Sequence, residues 1–246
     1  MWQALHDALP EESLIYLGDG ARCPYGARTL EEVRDFTFEA VERLLSEGCK
    51  TIVVACNTAT AVAIKYLREK YPNVPFVGLE PAVKPAALTT KSGVIGVLAT
   101  ERSLRGDHFL RAEEKYGAEV KILKGVGEGF VEAVEHNEEH TPETAELVRK
   151  AVAPLVAEGA DKIVLGCTHY PFLLPVIREV VGDRDVEIID SGEAVERRVE
   201  QLLDEHGLRA EADHEPEYRF LTFADDDYAK RLERKAFGDE NIDSKR

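Results

Sequence analysis

The spacing of apolar residues along the chain switches between two rhythms, and each switch marks an element. Lys50-Thr51-Ile52-Val53-Val54-Ala55 is a short continuous apolar run, the pattern of a strand covered on both faces of a parallel sheet. Asp161-Lys162-Ile163-Val164-Leu165-Gly166 repeats it. Both runs end on a cysteine, Cys56 and Cys167, followed by small polar residues and then by helical spacing. Asn57/Thr58 or Thr168/Pro171 can open those helices by capping or by fixing φ. Further runs predict strands at 13–17, 76–79, 94–99, 120–124, 186–190 and 218–223.

Apolar positions recurring at three and four predict helices over 1–10, 29–47, 58–71, 106–116, up to Glu135, 142–158, from the second cysteine to about 181, and 193–205, with a helical turn at 82–89. Thr29 with Glu32 three positions on is a capping box, and Val33, Phe36, Ala40, Leu44 and Leu45 form that helix's apolar face. Pro10, Gly48 and Pro72 are stops. Thr100–Asp107 reads as a polar loop, and Asp225–Asp227 as an acidic turn before a last helix and a frayed polar tail.

Strand and helix alternate almost throughout, which predicts an α/β fold with parallel sheets flanked by helices. The echo between the two cysteine units predicts two domains of similar build, with the active site at their interface. Breaks near 80–91 and 190–193 let the chain cross over and return. The first domain would then be discontinuous, 1–81 plus 192–246, around a second at 82–191. Open sheets of this kind place ligands at the carboxyl ends of their strands, where both cysteines fall.

Composition narrows the chemistry. A net charge of −16 opposes generic nucleic-acid binding, which needs a basic face. No apolar run reaches the ~18–20 residues of a membrane span, and the first residues carry no signal core, so the expected setting is the cytosol without membrane contact. The four cysteines, 23, 49, 56 and 167, include no CxxC pair, which leaves neither a disulfide framework nor a zinc motif in the spacing. Gly125-Val126-Gly127-Glu128-Gly129 is not the dinucleotide fingerprint.

A thiolate serves as nucleophile, metal ligand or base. His169, two residues after Cys167, keeps Cys–His nucleophilic chemistry open, and a redox pair requires the sulfurs to meet. Cys23 and Cys49 read as packing cysteines. Cys56 and Cys167 lie at strand ends beside polar residues, which favours using both symmetrically: one takes a proton from one face of a carbon while the other returns one to the opposite face. A helix N-terminus and a nearby histidine would lower a thiol pKa toward working pH. Chemistry of this shape is racemisation.

Leu17-Gly18-Asp19-Gly20-Ala21-Arg22-Cys23-Pro24-Tyr25-Gly26, Val54-Ala55-Cys56-Asn57-Thr58-Ala59, Leu98-Ala99-Thr100 and Leu165-Gly166-Cys167-Thr168-His169-Tyr170-Pro171 carry a resemblance over nearly the whole chain. The sequence resembles the glutamate racemases of the cofactor-independent aspartate/glutamate racemase superfamily. The resemblance implies that Cys56 and Cys167 are the catalytic acid/bases. Tyr25, Gly26, Asn57, Thr58, Thr168 and His169 match positions holding the substrate's carboxylates and amine. His169 would also assist Cys167, and Glu135 matches a supporting acid, in a looser alignment. It further implies a small amino-acid substrate, D-glutamate supply for peptidoglycan, no pyridoxal phosphate or metal, and a homodimer. Taken alone, His169 also reads as a capping or core histidine, Tyr25 as a packed loop aromatic and Glu135 as a solvated carboxylate.

One departure stands out. The family opens with a strand and an Asp-Ser-Gly loop whose Asp and Ser bind substrate and assist the first cysteine, whereas Met1 falls inside the helix that follows. The expectation is a chain continuing upstream, a valine at the end of that loop having been read as the initiator; the other reading is an impaired form, loosely folded and nearly inactive. The rival functions are another superfamily racemase, acting on aspartate or a hydantoin, and a catalytically dead binding protein. Thr168-His169 favours glutamate by resemblance.

Overall fold

In the computed structural model, which describes residues 1–211 and 213–237, strands and helices alternate along the chain. Helix α1 (Trp2–Ala8) stops short of Pro10 and leads into β1 (Leu14–Gly18). A single 3-10 turn, Tyr25–Ala27, precedes α2 (Leu30–Ser46), which starts from the capping box: the Thr29 hydroxyl accepts from the Glu32 amide at 3.2 Å, and the Glu32 carboxylate accepts from the Thr29 amide at 2.8 Å. Then come β2 (Ile52–Val54), α3 (Asn57–Lys70), β3 (Phe76–Gly78), α4 (Val83–Thr89), β4 (Val94–Ala99), α5 (Glu101–Arg105), α6 (Asp107–Tyr116), β5 (Lys121–Val126), α7 (Phe130–Glu135), α8 (Pro142–Ala157) and β6 (Lys162–Leu165). A 3-10 segment at Tyr170–Leu173 is followed by α9 (Leu174–Val181), β7 (Glu187–Ile189), α10 (Gly192–His206), β8 (Tyr218–Thr222) and α11 (Asp226–Phe237). The polar tail expected after α11 lies outside the described residues.

Two local expectations need correction. The polar loop at 100–107 holds α5, capped by the Thr100 hydroxyl, which accepts from the Ser103 amide at 3.2 Å. Five residues burying only Ser103 and Leu104 give no readable periodicity. The segment after Cys167 is not one helix. It runs through the 3-10 stretch first, because Pro171 and Pro175 each stand in a first turn and withhold the N–H that a continuous α-helix would use.

All strand pairs are parallel. One sheet has four strands in the order β5-β4-β6-β7, and two further ladders pair β1 with β8 and β2 with β3. In the four-stranded sheet, β6 is buried at every position. Alternate residues of β4 and β6 point to opposite cores: Leu98, Ile163 and Leu165 meet Phe130, Val148, Val152 and Ile177, while Ile95, Val97 and Val164 meet Val83 and Phe109. Each large apolar side chain so buried contributes about 1.5–3 kcal/mol. Around β3 the same split occurs, Phe76 packing with α2 and α3 residues and Val77 with α1 and α10 residues.

The expectation that both cysteine runs are strands covered on both faces holds fully for β6 only. Among the described residues β2 has one ladder neighbour, β3, and Val53 is only half-buried. Residues of β1 and β2 instead line a cavity of about 1710 Å³ that also takes in the loops after β2 and β6. Typical small-ligand sites hold ~300–1,000 Å³, so this space includes more than a binding pocket; Leu14, Tyr16, Ile52, Val54 and Leu203 make part of it apolar. No helix among the described residues is long and apolar enough to cross a membrane.

Candidate active site

Cys56 stands at the end of β2, where extended backbone (φ −153°, ψ 121°) makes it the N-cap of α3. Its sulfur accepts from the Ala59 amide at 3.5 Å. The cap is therefore the thiol itself, and Asn57 and Thr58 lie inside the first turn. Cys167 follows Gly166, whose place admits no side chain: a Cβ there would sit 2.7 Å from the Ala99 Cβ at the end of β4. The Thr168 hydroxyl donates to the Ala55 carbonyl at 3.2 Å, tying the loop of the second cysteine to the strand of the first. Both thiols line the same cavity, and Cys167 lies close enough to raise the Cys56 thiol electrostatically.

The second thiol has a histidine at hand. Cys167 Sγ is 3.8 Å from His169 Nδ1, and His169 Nε2 is 2.7 Å from Glu135 Oε1. The Tyr228 hydroxyl, from α11, donates to the same carboxylate oxygen at 3.2 Å. Glu135 is thus a partnered carboxylate and not the solvated one that its helix position alone allows. Tyr228 reaches it because residue 20 is glycine; a Cβ there would lie 2.3 Å from the tyrosine ring.

Charge in the site follows burial and pairing. Burial opposes a charge on His169, but its contacts with Cys167, Cys23 and Glu135 outweigh that cost and hold the imidazole well above its usual range. Burial also works against the Glu135 carboxylate, yet the hydrogen bonds from His169 and Tyr228 keep it below the ordinary range. Burial pushes the Cys56 thiol up to about 11, with the Ala59 amide only partly offsetting it. This corrects, for Cys56, the expectation that a helix N-terminus and a nearby histidine bring a thiol down: desolvation exceeds the amide contacts from Thr58 and Ala59 and the effect of His169.

The remaining residues expected in the site also line the cavity: Tyr25, Gly26, Asn57, Thr58, Thr168, His169 and Glu135. Tyr25 donates to Asp19 Oδ2 at 2.5 Å, and Arg22 holds the same carboxylate at 2.7 and 2.9 Å. Asn57 is buried with its side-chain oxygen unpartnered among the described residues, an acceptor lacking the hydrogen bond that buried polar atoms usually make. The Thr58 hydroxyl lies 3.5 Å from that of Ser103, which accepts from Thr100 at 2.9 Å. Cys49 packs in the core of α2, α3 and β2, as expected.

Four contributors were not foreseen. Ser103 and Arg102 belong to the unrecognised α5, and Arg102 holds the Tyr25–Ala27 turn by donating to the Gly26 carbonyl at 3.0 Å and to the Arg28 carbonyl. Tyr228 arrives from the last helix, which the sequence predicted without any sign that it reaches the site. Cys23, read as packing, has its sulfur within hydrogen-bonding reach of both His169 and Glu135; the motif around it was the available clue.

Comparison with known proteins places the chain in one family. A family model described as Asp/Glu/Hydantoin racemase matches residues 1–199. The chain is 47% identical over 200 residues to a glutamate racemase of Roseiflexus, covering 81% of this chain and 73% of that one. It is 43% identical over 230 residues to that of Deinococcus radiodurans, covering 93% and 79%. Among solved structures, a glutamate racemase isoform from Bacillus anthracis superposes with a TM-score of 0.81 at 33% identity, over 96% of this chain and 88% of that one. The Escherichia coli glutamate racemase in complex with L-glutamate and an activator gives 0.83 at 26% identity, over 96% and 89%.

Proposed function

Because the chain belongs to the Asp/Glu/hydantoin racemase family, we propose that it is a glutamate racemase, interconverting L- and D-glutamate by proton transfer at Cα. The observation that carries this reading is the pair of thiols, delivered to one cavity from the ends of two different strands. One thiolate removes the Cα proton from its face, and the other thiol gives a proton to the opposite face. The carbon is inverted, and the two sulfurs exchange protonation states. The return reaction uses them in the opposite order, so neither is spare.

The surrounding groups fit the substrate. The first turn of α3, opening at Asn57 and Thr58, offers backbone N–H groups and a positive dipole end to a carboxylate. Asn57 Oδ1, buried and unpartnered, suits the ammonium. Tyr25, Gly26, Thr168 and His169 complete the set. His169, kept cationic by Glu135, stabilises the thiolate of Cys167; Glu135 acts through it as a positioning residue. Both acid/bases come from the chain, so the reaction calls on neither pyridoxal phosphate nor a metal. The product serves peptidoglycan synthesis in the cytosol, and the working unit is a homodimer. We divide the chain at 1–81 plus 192–246 and 82–191; the four-stranded sheet draws all its strands from the second range, which supports the division.

Chiral chromatography after incubation with L-glutamate, D-glutamate, L-aspartate and a substituted hydantoin tests the reading. The expected result is a 1:1 mixture from either glutamate enantiomer, with solvent deuterium entering at Cα. Turnover of aspartate or the hydantoin in preference to glutamate would move the chain elsewhere in the family, and binding without exchange would make it a binding protein.

A further inference from the structure

Cys23 is a reactive side chain in this cavity that the racemisation does not use. It comes from the loop after β1, Glu135 from the end of α7 and His169 from the loop after β6. One ligand atom from each, a sulfur, a carboxylate oxygen and a ring nitrogen, lies within 4.8 Å of the other two. We propose that Cys23, Glu135 and His169 form a binding site for a thiophilic divalent cation, zinc above all, and that occupancy inhibits the enzyme. The inhibition rests on the racemase reading; the binding does not.

The donor chemistry selects the metal. A thiolate and an imidazole favour zinc over magnesium or calcium, which take oxygen ligands. Zinc bonds of about 2.0–2.3 Å put tetrahedral ligand atoms roughly 3.3–3.7 Å apart. The observed triangle closes on an ion with movements of an ångström or less, since Glu135 and His169 now touch at 2.7 Å and need only part. The Tyr228 hydroxyl on Glu135 is the outer hydrogen bond that orients a metal-binding carboxylate. Cys167 faces the other ring nitrogen, so the fourth position is left to water or to the substrate.

Binding and inhibition are one event. The Cys23 thiol and the imidazolium of His169 each give up a proton as the ion enters, so two protons leave per ion and the site's net charge is unchanged. Tyr16, Cys56, Cys167 and Tyr228 also face these groups. His169, bonded to metal through Nε2, can no longer be the Glu135-supported cation beside Cys167, and turnover falls. Nothing in the cysteine spacing announces this site, because its ligands come from three separated segments.

Cobalt(II) is the probe for the test, since a cobalt–thiolate bond gives an intense charge-transfer band that is read without turnover. One equivalent of cobalt(II) chloride should produce the band, and zinc should displace it. Cys23→Ser should abolish it, while Cys49→Ser, a thiol outside the Cys23–Glu135–His169 triangle, should retain it. In a zinc buffer, glutamate turnover should fall at least tenfold, return on chelation, and need about 10–100-fold more zinc in Cys23→Ser, each protein compared with its own zinc-free rate. Absence of the band overturns the proposal. So does a band that survives Cys23→Ser and disappears in Cys56→Ser or Cys167→Ser, which would put the metal on the two acid/base thiols. A chain that shows the cobalt band but racemises nothing would keep the site and sink the racemase reading.

Discussion

Racemisation depends on single atoms of a few residues, and three predictions belong at that scale. If Cys56 and Cys167 work on opposite faces, each inversion uses both. Cys56→Ala and Cys167→Ala should each lose at least ~10²–10⁴-fold in turnover, and the double variant little more, as residues acting as a unit do. Near-normal turnover of both enantiomers by one single variant would refute the two-thiol scheme. The second prediction concerns pH. Burial holds the Cys56 thiol at about 11, so at neutral pH only a small fraction is the thiolate that can act as base, and the fraction grows tenfold per pH unit below that value. Because the reaction runs to a 1:1 mixture, kcat/KM is equal in the two directions, and in both it should climb from neutral into the alkaline range; a profile flat over that range would show that the thiol ionises earlier. The third concerns Glu135. Glu135→Gln removes the charge that helps keep His169 protonated. The kcat with Cys167 as base should drop about 10–100-fold, equivalent to ~1.4–2.7 kcal/mol, and the kcat of the opposite direction less, with KM shifting so that kcat/KM stays equal in the two directions. Equal losses in both directions would assign Glu135 a structural role only.

At the scale of elements, α11 matters because it brings Tyr228 over the loop after β1. That packing depends on Gly20, where any Cβ would strike the Tyr228 ring. Gly20→Ala should push the ring aside and cost ~1–3 kcal/mol by overpacking, read as a lower melting temperature, and it should reduce turnover by disturbing Glu135. Tyr228→Phe separates the two effects. It keeps the packing and loses one hydrogen bond to Glu135, worth about 0.5–1.5 kcal/mol. A Gly20→Ala protein with an unchanged melting temperature would show that α11 is not seated as described. Elements were legible where length and spacing were adequate: α2 follows from Thr29, Glu32 and its apolar face, and β6 from Ile163-Val164-Leu165. The five-residue α5 was not, and the helix after Cys167 was read through two prolines that break it.

Over the whole molecule, stability should be uneven. Strands β4 and β6 have ladder partners on both sides and buried side chains on both faces. Strands β1 and β2 have one ladder partner each among the described residues, and their residues line the large cavity. Amides of β4 and β6 should therefore exchange with solvent only through global opening, while those of β1 and β2 exchange through local opening at lower free energy. Native-state hydrogen exchange checks this; equal protection in the two groups would mean that the cavity edges are as well covered as the sheet centre.

The sequence alone determined the alternation of strands and helices, the parallel sheets and the pairing of Cys56 with Cys167, because each is written in contiguous residues: a β-rich apolar run, a stop, a cap, a cysteine. Tertiary structure decided the rest. Whether a strand lies at a sheet's centre depends on neighbours from elsewhere, so β2 and β6, nearly identical as strings, have different surroundings. Whether a thiol ionises depends on the desolvation around it, which overrode the helix N-terminus at Cys56. Which groups converge on His169 depends on three chain segments and α11 folding together, and that convergence turned Cys23 from a packing residue into a neighbour of His169 and Glu135. Local patterns specify local backbone; burial and convergence are properties of the assembled chain, and no single stretch of sequence carries them.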